Sequence, residues 1–185
     1  MPRKVDHTER RTLIADALTR LAAKQGLEAV SLRHVAAEAG VSAGMVQHYF
    51  RTKDEMMAFA LEVVRDRNQA RVAAAVATLG DDPPPRLLLR TMITALLPLD
   101  AASRDVGRVA LAFLAYTAVR PGLRTETARL LDYFAGLLPG GAPAATGLVA
   151  LMEGLGIYLL GGQFTAEQAT RALDAQLDVL FQRAP

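Results

Sequence analysis

The chain has 185 residues, 51% of them hydrophobic and 22% charged, with a net charge of +2. That length holds one large domain, or a small domain joined to a larger one, and the composition excludes disorder throughout. It contains no cysteine, which excludes disulfides and thiolate catalysis and is compatible with a reducing compartment. No apolar run follows the charged start MPRKVDHTERR, so no secretory signal is expected. The most apolar late stretch, Leu148 to Gly162, contains Glu153 and is shorter than the roughly 20 residues that cross a bilayer. These features predict a soluble cytoplasmic protein with no membrane partner.

The charge is unevenly divided. Residues 1–53 carry nine basic against five acidic side chains, a net +4, and the remainder carries twelve against fourteen, a net −2. Such asymmetry fits a polyanion partner for the basic part, and ordinary surface charge produces it as well.

In chain order, residues 1–7 read as a basic arm. A helix is predicted from about Thr8 to Gln25, with Ile14, Ala17, Leu18 and Leu21 on one face, Thr8 as its N-cap and Gly26 closing it. The stretch from Ser31 to Lys53 then reads as two short helices joined by a tight turn, the shape of a helix-turn-helix. Leu32, Val35, Ala36 and Ala39 form a buried stripe, Ser31 caps it, Gly40 ends the helix and Val41 plugs the turn. Ser42 caps the second helix, whose inward face is Val46 and Phe50. The outward positions Ala43, Gly44, Gln47 and His48 are small or polar, so this side can press against another surface and hydrogen-bond to it. The three-helix core is too small to stand alone and needs support from the rest of the chain.

A fourth helix is predicted from Lys53 to about Leu79, with Met57, Ala60, Leu61 and Val64 at helical spacing, until GDDPPP at 80–85 breaks the chain. Further helices are expected at about 86–97, 101–119, 121–138 and 146–162, with Pro121 in the first turn of its helix and PGGAPAA at 139–145 as a loop. A last helix starts at Thr165, where Gln168 completes a T-x-x-Q capping box, and runs to about Gln182. No strand pattern or internal repeat occurs. The fold class is all-α with about nine helices: residues 1–52 are expected to form a helix-turn-helix domain and 53–185 a second, larger helical domain.

Ile14, Ala17 and Gly26, followed by Ser31, Val35, Ala36, Ala39-Gly40-Val41-Ser42, Gly44, Tyr49-Phe50 and Lys53, resemble the TetR (tetracycline repressor) family of bacterial transcription regulators. The match covers about the first 60 residues. Most members carry tyrosine three residues after the glycine, where this chain has Gln47, and the variant G-M-V-Q-H-Y-F is similar to a branch that includes betaine-type regulators. The resemblance implies that Ser42, Tyr49 and Lys53 meet DNA phosphates, with Arg33 a further candidate for a phosphate or a guanine edge. It implies that Ala43, Gly44, Gln47 and His48 face the major groove, where Gln47 is suited to adenine and Gly44 allows close approach. Gln47 replaces a tyrosine–phosphate contact and can add base reading.

One short reading helix spans only a few base pairs, so specificity calls for a homodimer on a palindromic operator. The helices at about 146–162 and 165–182 are suited to that pairing, through the stripes Leu148, Leu151, Met152, Leu155, Leu159 and Leu173, Leu177, Leu180, Phe181, as a four-helix bundle. Gly154 and Gly156 fit close helix approach. The alternative is that both stripes pack inside the monomer. The resemblance further implies a small-molecule effector site in the helical domain. Candidates for its lining are Met92, Leu96, Phe113, Tyr116, Tyr133, Phe134 and Met152, with a tyrosine hydroxyl as polar handle, so a mostly apolar ligand is expected. The three histidines match no zinc spacing, and no nucleophile motif or phosphate loop occurs, so neither metal, cofactor nor enzymatic activity is expected. A helical small-molecule-binding or interaction protein without specific DNA binding is the competing class.

Overall fold

The computed structural model describes residues 7–27, 30–119 and 127–182, and every regular element in them is helical. Nine α-helices run in order as α1 (His7–Gln25), α2 (Leu32–Ala39), α3 (Ala43–Tyr49), α4 (Lys53–Val76), α5 (Pro85–Leu96), α6 (Ala101–Ala118), α7 (Thr127–Leu137), α8 (Gly141–Leu160) and α9 (Ala166–Gln182). A single 3-10 turn, Ala77–Leu79, finishes α4. The all-helical expectation holds across the described residues.

These residues pack as two units. The first contains the described residues up to Arg67 together with Arg108–Val119, and the second contains Asn68–Gly107 and Thr127–Gln182. In the first unit Ile14, Ala17, Leu18 and Leu21 are buried, as their spacing predicts, with Val35, Ala36, Val46 and Phe50 from the next two helices. This small centre gains Met56, Met57, Ala60 and Val64 from α4 and Val109 and Phe113 from α6. It thereby acquires the apolar support that a three-helix core of this size lacks. Thr8 lies inside α1, which already begins at His7.

The second unit is built on α7 packed against α8, α8 against α9, and α5 against both α7 and α9. Its core includes Leu89, Ile93, Phe134, Leu148, Leu155, Leu159, Leu173 and Leu177. One predicted boundary shifts, and another cannot be compared. The expected start at 121, with Pro121 in the first turn, lies outside the described residues, and α7 is described from Thr127. The predicted loop 139–145 gives way to helix from Gly141, which starts α8 five residues early. Pro143 is its third residue, where the N–H that proline lacks would have no intrahelical partner. At the end of α9 the capping box forms as expected: Gln168 N–H donates to Thr165 Oγ1 at 3.1 Å and Thr165 N–H to Gln168 Oε1 at 2.8 Å.

Two expectations about α8 are corrected. At 20 residues it is long and apolar enough to cross a bilayer by length and composition, contrary to the expectation from Leu148–Gly162. Its inward face, however, carries Ala145, Leu148, Val149, Met152, Leu155 and Leu159 into the unit's own core, so part of its apolar surface is used for packing within the chain. The two leucine stripes expected to face a partner chain are likewise mainly internal. Leu148, Leu155, Leu159, Leu173 and Leu177 are each 3% exposed or less. Helical periodicity finds an apolar stripe but does not say which neighbour covers it.

A charged seam joins α5 to α9. Arg90 grips Asp174 with two hydrogen bonds, Nε to Oδ1 at 2.6 Å and Nη2 to Oδ2 at 3.1 Å, and Arg86 Nη2 lies 2.6 Å from Asp178 Oδ1. The hydrogen bond from Arg90 holds the Asp174 carboxyl below the usual aspartate range and raises the guanidinium in turn. A depressed carboxyl contributes stability above its unfolded pKa and loses that contribution as pH falls through its folded pKa. Both groups are partly exposed, so solvent screening limits the contribution to about 1 kcal/mol. Asp174→Asn is therefore expected to cost about that much at neutral pH, and the difference from wild type should shrink as pH is lowered toward 3. Urea unfolding at both pH values checks it, and a pH-independent difference would contradict this account.

Candidate nucleic-acid interface

The local sequence sets the geometry of α2 and α3. Ser31 has extended backbone and its Oγ accepts the His34 N–H at 3.2 Å, capping α2. Gly40 takes φ +68° and its N–H donates to Ala37 O, while Val41 N–H donates to Ala36 O at 3.0 Å. No heavy atom lies within 4 Å of a Cβ built on Gly40, so its requirement is conformational rather than one of space. Ser42 then caps α3, accepting from Met45 N–H at 3.1 Å. Its hydroxyl proton remains available to an outside acceptor.

α3 buries Val46, and Phe50 behind it is fully buried. The Phe50 ring lies 5.6 Å from that of Phe59, and the Arg11 guanidinium carbon stands 4.8 Å and 4.3 Å from the two ring centroids. Arg20 Nε donates to Glu38 Oε1 at 2.8 Å, tying α1 to α2, and this bond pulls the Glu38 carboxyl below its ordinary value. Contacts on both sides thus hold the short helix pair against α1 and α4.

On the outward side of α3, Gly44, Gln47 and His48 are exposed and Ala43 is half-buried. Among the described residues Gln47 makes no side-chain hydrogen bond, so its amide is open on both ends. A Cβ at Gly44 would meet only Ser42 Oγ at 3.9 Å, an ordinary contact. The fold therefore does not require this glycine for space. Tyr49 is half-buried, its ring 4.8 Å from His7 and 5.2 Å from His48, the latter edge-on. Arg33 is exposed on α2. Lys53 is the first residue of α4, half-buried, with Nζ 3.5 Å from Leu27 O, a long contact that leaves the ammonium further donors.

Met45 and Arg51 also stand exposed beside these positions, and neither belongs to the set expected from sequence. The signal for the second was present in T-x-x-E at 52–55. Glu55 N–H donates to Thr52 Oγ1 at 3.1 Å, and Arg51 N–H donates to Glu55 Oε2 at 2.9 Å. This capping arrangement fixes the backbone that carries Arg51 into α4.

Residues 14–59 match the family of bacterial regulatory proteins described as the tetR family, and residues 85–182 match the C-terminal domain of the BetI-type transcriptional repressor. The HTH-type transcriptional regulator BetI of Stenotrophomonas maltophilia (strain R551-3) is 32% identical, over 100% of this chain and 99% of that protein. The chain belongs to the TetR family. A transcriptional regulator from Rhodococcus sp. Rha1 has the same fold at a TM-score of 0.84 with 35% identity, covering 94% of this chain and 97% of that one. A regulator from Saccharomonospora viridis, solved in complex with choline, shares the fold at a TM-score of 0.76 with 23% identity, covering 92% of this chain and 96% of that one. As a TetR-family member the protein is a DNA-binding transcriptional regulator and not an enzyme.

The residues expected to line an effector site divide between the two units. Phe113 and Tyr116 pack in the first, where the Tyr116 hydroxyl donates to Asp54 Oδ1 at 2.7 Å. Met92, Leu96, Phe134 and Met152 belong to the core cluster of the second. Tyr133 is 49% exposed. Phe113 and Phe134 are fully packed core side chains, and the hydroxyl of Tyr116 is already engaged.

Proposed function

We propose that the protein is a homodimeric repressor that reads a palindromic operator through α3 and is released from it by a small, mostly apolar molecule. In this reading residues 1–52 are the reading module and 53–185 the ligand-binding and dimerisation module. The observation that carries it is the outward face of α3. A rigidly capped helix presents the open amide of Gln47 beside His48 and the bare backbone of Gly44. Gln47 offers a donor and an acceptor side by side, the pattern that adenine presents in the major groove, and Gly44 removes the bulk that would keep the helix at a distance. Ser42, Tyr49, Lys53, Arg33 and Arg51 supply phosphate contacts, with free N–H groups at the start of α4 adding to Lys53. Met45 is placed to touch a thymine methyl.

The other face of α8 supports pairing of two copies. Gly147, Ala150, Ile157 and Tyr158 are exposed, Ile157 at 45% and Tyr158 at 49%. A Cβ at Gly147 or Gly154 would meet nothing within 4 Å. With the leucine stripes used internally, this outer side, together with Val179 of α9, is the surface that a second chain would cover. An effector that favours a dimer with the wrong separation between its two reading heads would release the operator, by no more than its differential affinity for the two states.

Operator binding by two variants tests the assignment. Lys53→Ala is expected to weaken binding to all sequences alike and to reduce the slope of affinity against salt by about one, while Gln47→Ala should change which sequence is preferred at a cost of about 1–3 kcal/mol. Both are read from salt titrations and from selection of sites out of a random duplex pool. An unchanged preferred site in Gln47→Ala would remove the base-reading role, and binding without salt dependence would favour a helical small-molecule-binding protein instead.

A further inference from the structure

The core cluster of the second unit consists of apolar side chains, so polar atoms shielded in that unit stand out. On α4, Asn68 Oδ1 and Arg71 Nε are both shielded from solvent, and neither has a hydrogen-bond partner among the described residues. They are three residues apart, so the two side chains leave the helix on one face. Thr94 Oγ1, on α5 of the same unit, is a third such atom. A shielded polar atom without a partner bears its full desolvation cost, and native interiors keep few of them without a reason.

Arg71 is the most demanding of the three because it is charged. Burial lowers its pKa, and the nearby charge of Asp100 opposes that effect. Asp100 is nevertheless committed elsewhere: its Oδ1 accepts from Ser103 N–H at 2.8 Å and from Ser103 Oγ at 2.9 Å. It forms no hydrogen bond or ion pair with Arg71 among the described residues. The guanidinium therefore has a charge of opposite sign nearby, while its shielded Nε has no hydrogen-bond partner among the described residues.

We propose that Asn68 and Arg71 form the polar end of the effector site, and that the effector carries one carboxylate on an apolar body. This rests on the ligand-responsive reading above and narrows it. A guanidinium matches a planar carboxylate through two parallel hydrogen bonds, from Nε and one Nη, which the single oxygen of a neutral carbonyl cannot complete. Asp100 already supplies negative charge close by, so a dianion such as a phosphate monoester is disfavoured. Met92, Leu96 and Leu99, half-buried in the same unit, suit the apolar body. The shielded Asn68 Oδ1 is an acceptor and takes a hydroxyl or N–H donor carried beside the carboxylate.

The test uses the full-length chain, a bound operator duplex and three probes with the same tail: octanoate, 1-octanol and octyltrimethylammonium. Octanoate is expected to raise the melting temperature, and to release the operator, at concentrations about tenfold or more below those of the other two. Arg71→Gln should abolish that preference while leaving operator affinity without probe unchanged. Should that variant fail to fold, Arg71→Lys keeps the charge without the fork and should weaken the octanoate preference. No response to octanoate, equal potency of octanol, stronger action of the cation, or a full octanoate preference in the Arg71 variants each overturns the proposal. The two readings separate cleanly. Arg71-dependent stabilisation by octanoate without operator release upholds the carboxylate site and rejects the regulatory reading, whereas operator release by octanol alone does the reverse.

Discussion

Phe50→Ala is expected to destabilise the reading head by about 3–5 kcal/mol, the usual cost of emptying a buried phenylalanine site, and to abolish specific operator binding. Phe50 is fully buried and its N–H donates to Val46 O at 2.9 Å, so it anchors the end of α3. Its ring packs against Phe59, and the Arg11 guanidinium carbon stands 4.8 Å from its centroid and 4.3 Å from that of Phe59. Arg11 Nε is shielded and has no hydrogen-bond partner among the described residues, and the guanidinium is compensated by the two aromatic faces together with Glu55 Oε1 at 3.9 Å from Nη2. Truncation would leave a cavity and remove one of the two aromatic faces from the cation. Phe50→Leu keeps most of the volume and should cost clearly less, which separates lost packing from a general intolerance at this position. Thermal unfolding and operator titration of the two variants decide it. An alanine variant that melts and binds like wild type would mean that α3 is held by something other than this contact.

Under the pairing proposed above, Gly154→Leu is expected to leave the chain folded while weakening association of two copies by roughly 10- to 100-fold, the equivalent of the 1–3 kcal/mol that overpacking a close contact costs. In the single chain a Cβ at Gly154 meets nothing within 4 Å. Leucine is also a better helix former than glycine by several tenths of a kcal/mol, so the isolated subunit should unfold no more easily than before. Operator affinity per subunit should fall by no more than the same factor, because the two-headed complex loses only the dimerisation free energy. Sedimentation measures the first effect and operator titration the second. Unchanged self-association would move the pairing surface away from this side of α8.

Much of the reading head was legible without coordinates because its determinants are local. Ser31 and Ser42 cap the helices they precede, and Gly26 and Gly40 adopt φ of +76° and +68°. Each depends on atoms within four residues, so a sequence window contains the whole cause. The outward set Ala43, Gly44, Gln47 and His48 follows from the same helical register once Val46 and Phe50 are known to point inward. Arg51 escaped notice because its placement depends on the box between Thr52 and Glu55, which reads as a cap for α4 rather than as part of a surface.

The effector residues were not legible in this way. An aromatic side chain at helical spacing looks the same whether it fills a core, as Phe113 and Phe134 do, or stands in solvent, as Tyr133 does. The bond from Tyr116 to Asp54 joins residues 62 apart, and no local pattern announces it. The orphan atoms of Asn68 and Arg71 are defined only by what surrounds them.

By itself, then, the sequence determined the all-helical class, most helix limits, the capped turn between α2 and α3, and the face that α3 turns outward, since short-range sterics and hydrogen bonding decide these. Tertiary structure decided which stripe of α8 is used inside the chain and which is left outside, that helix begins at Gly141 despite its glycines and proline, and that the first core recruits α4 and α6. Those outcomes depend on apolar area buried between segments far apart in sequence, and a hydrophobic stripe specifies that it must be covered without specifying by what.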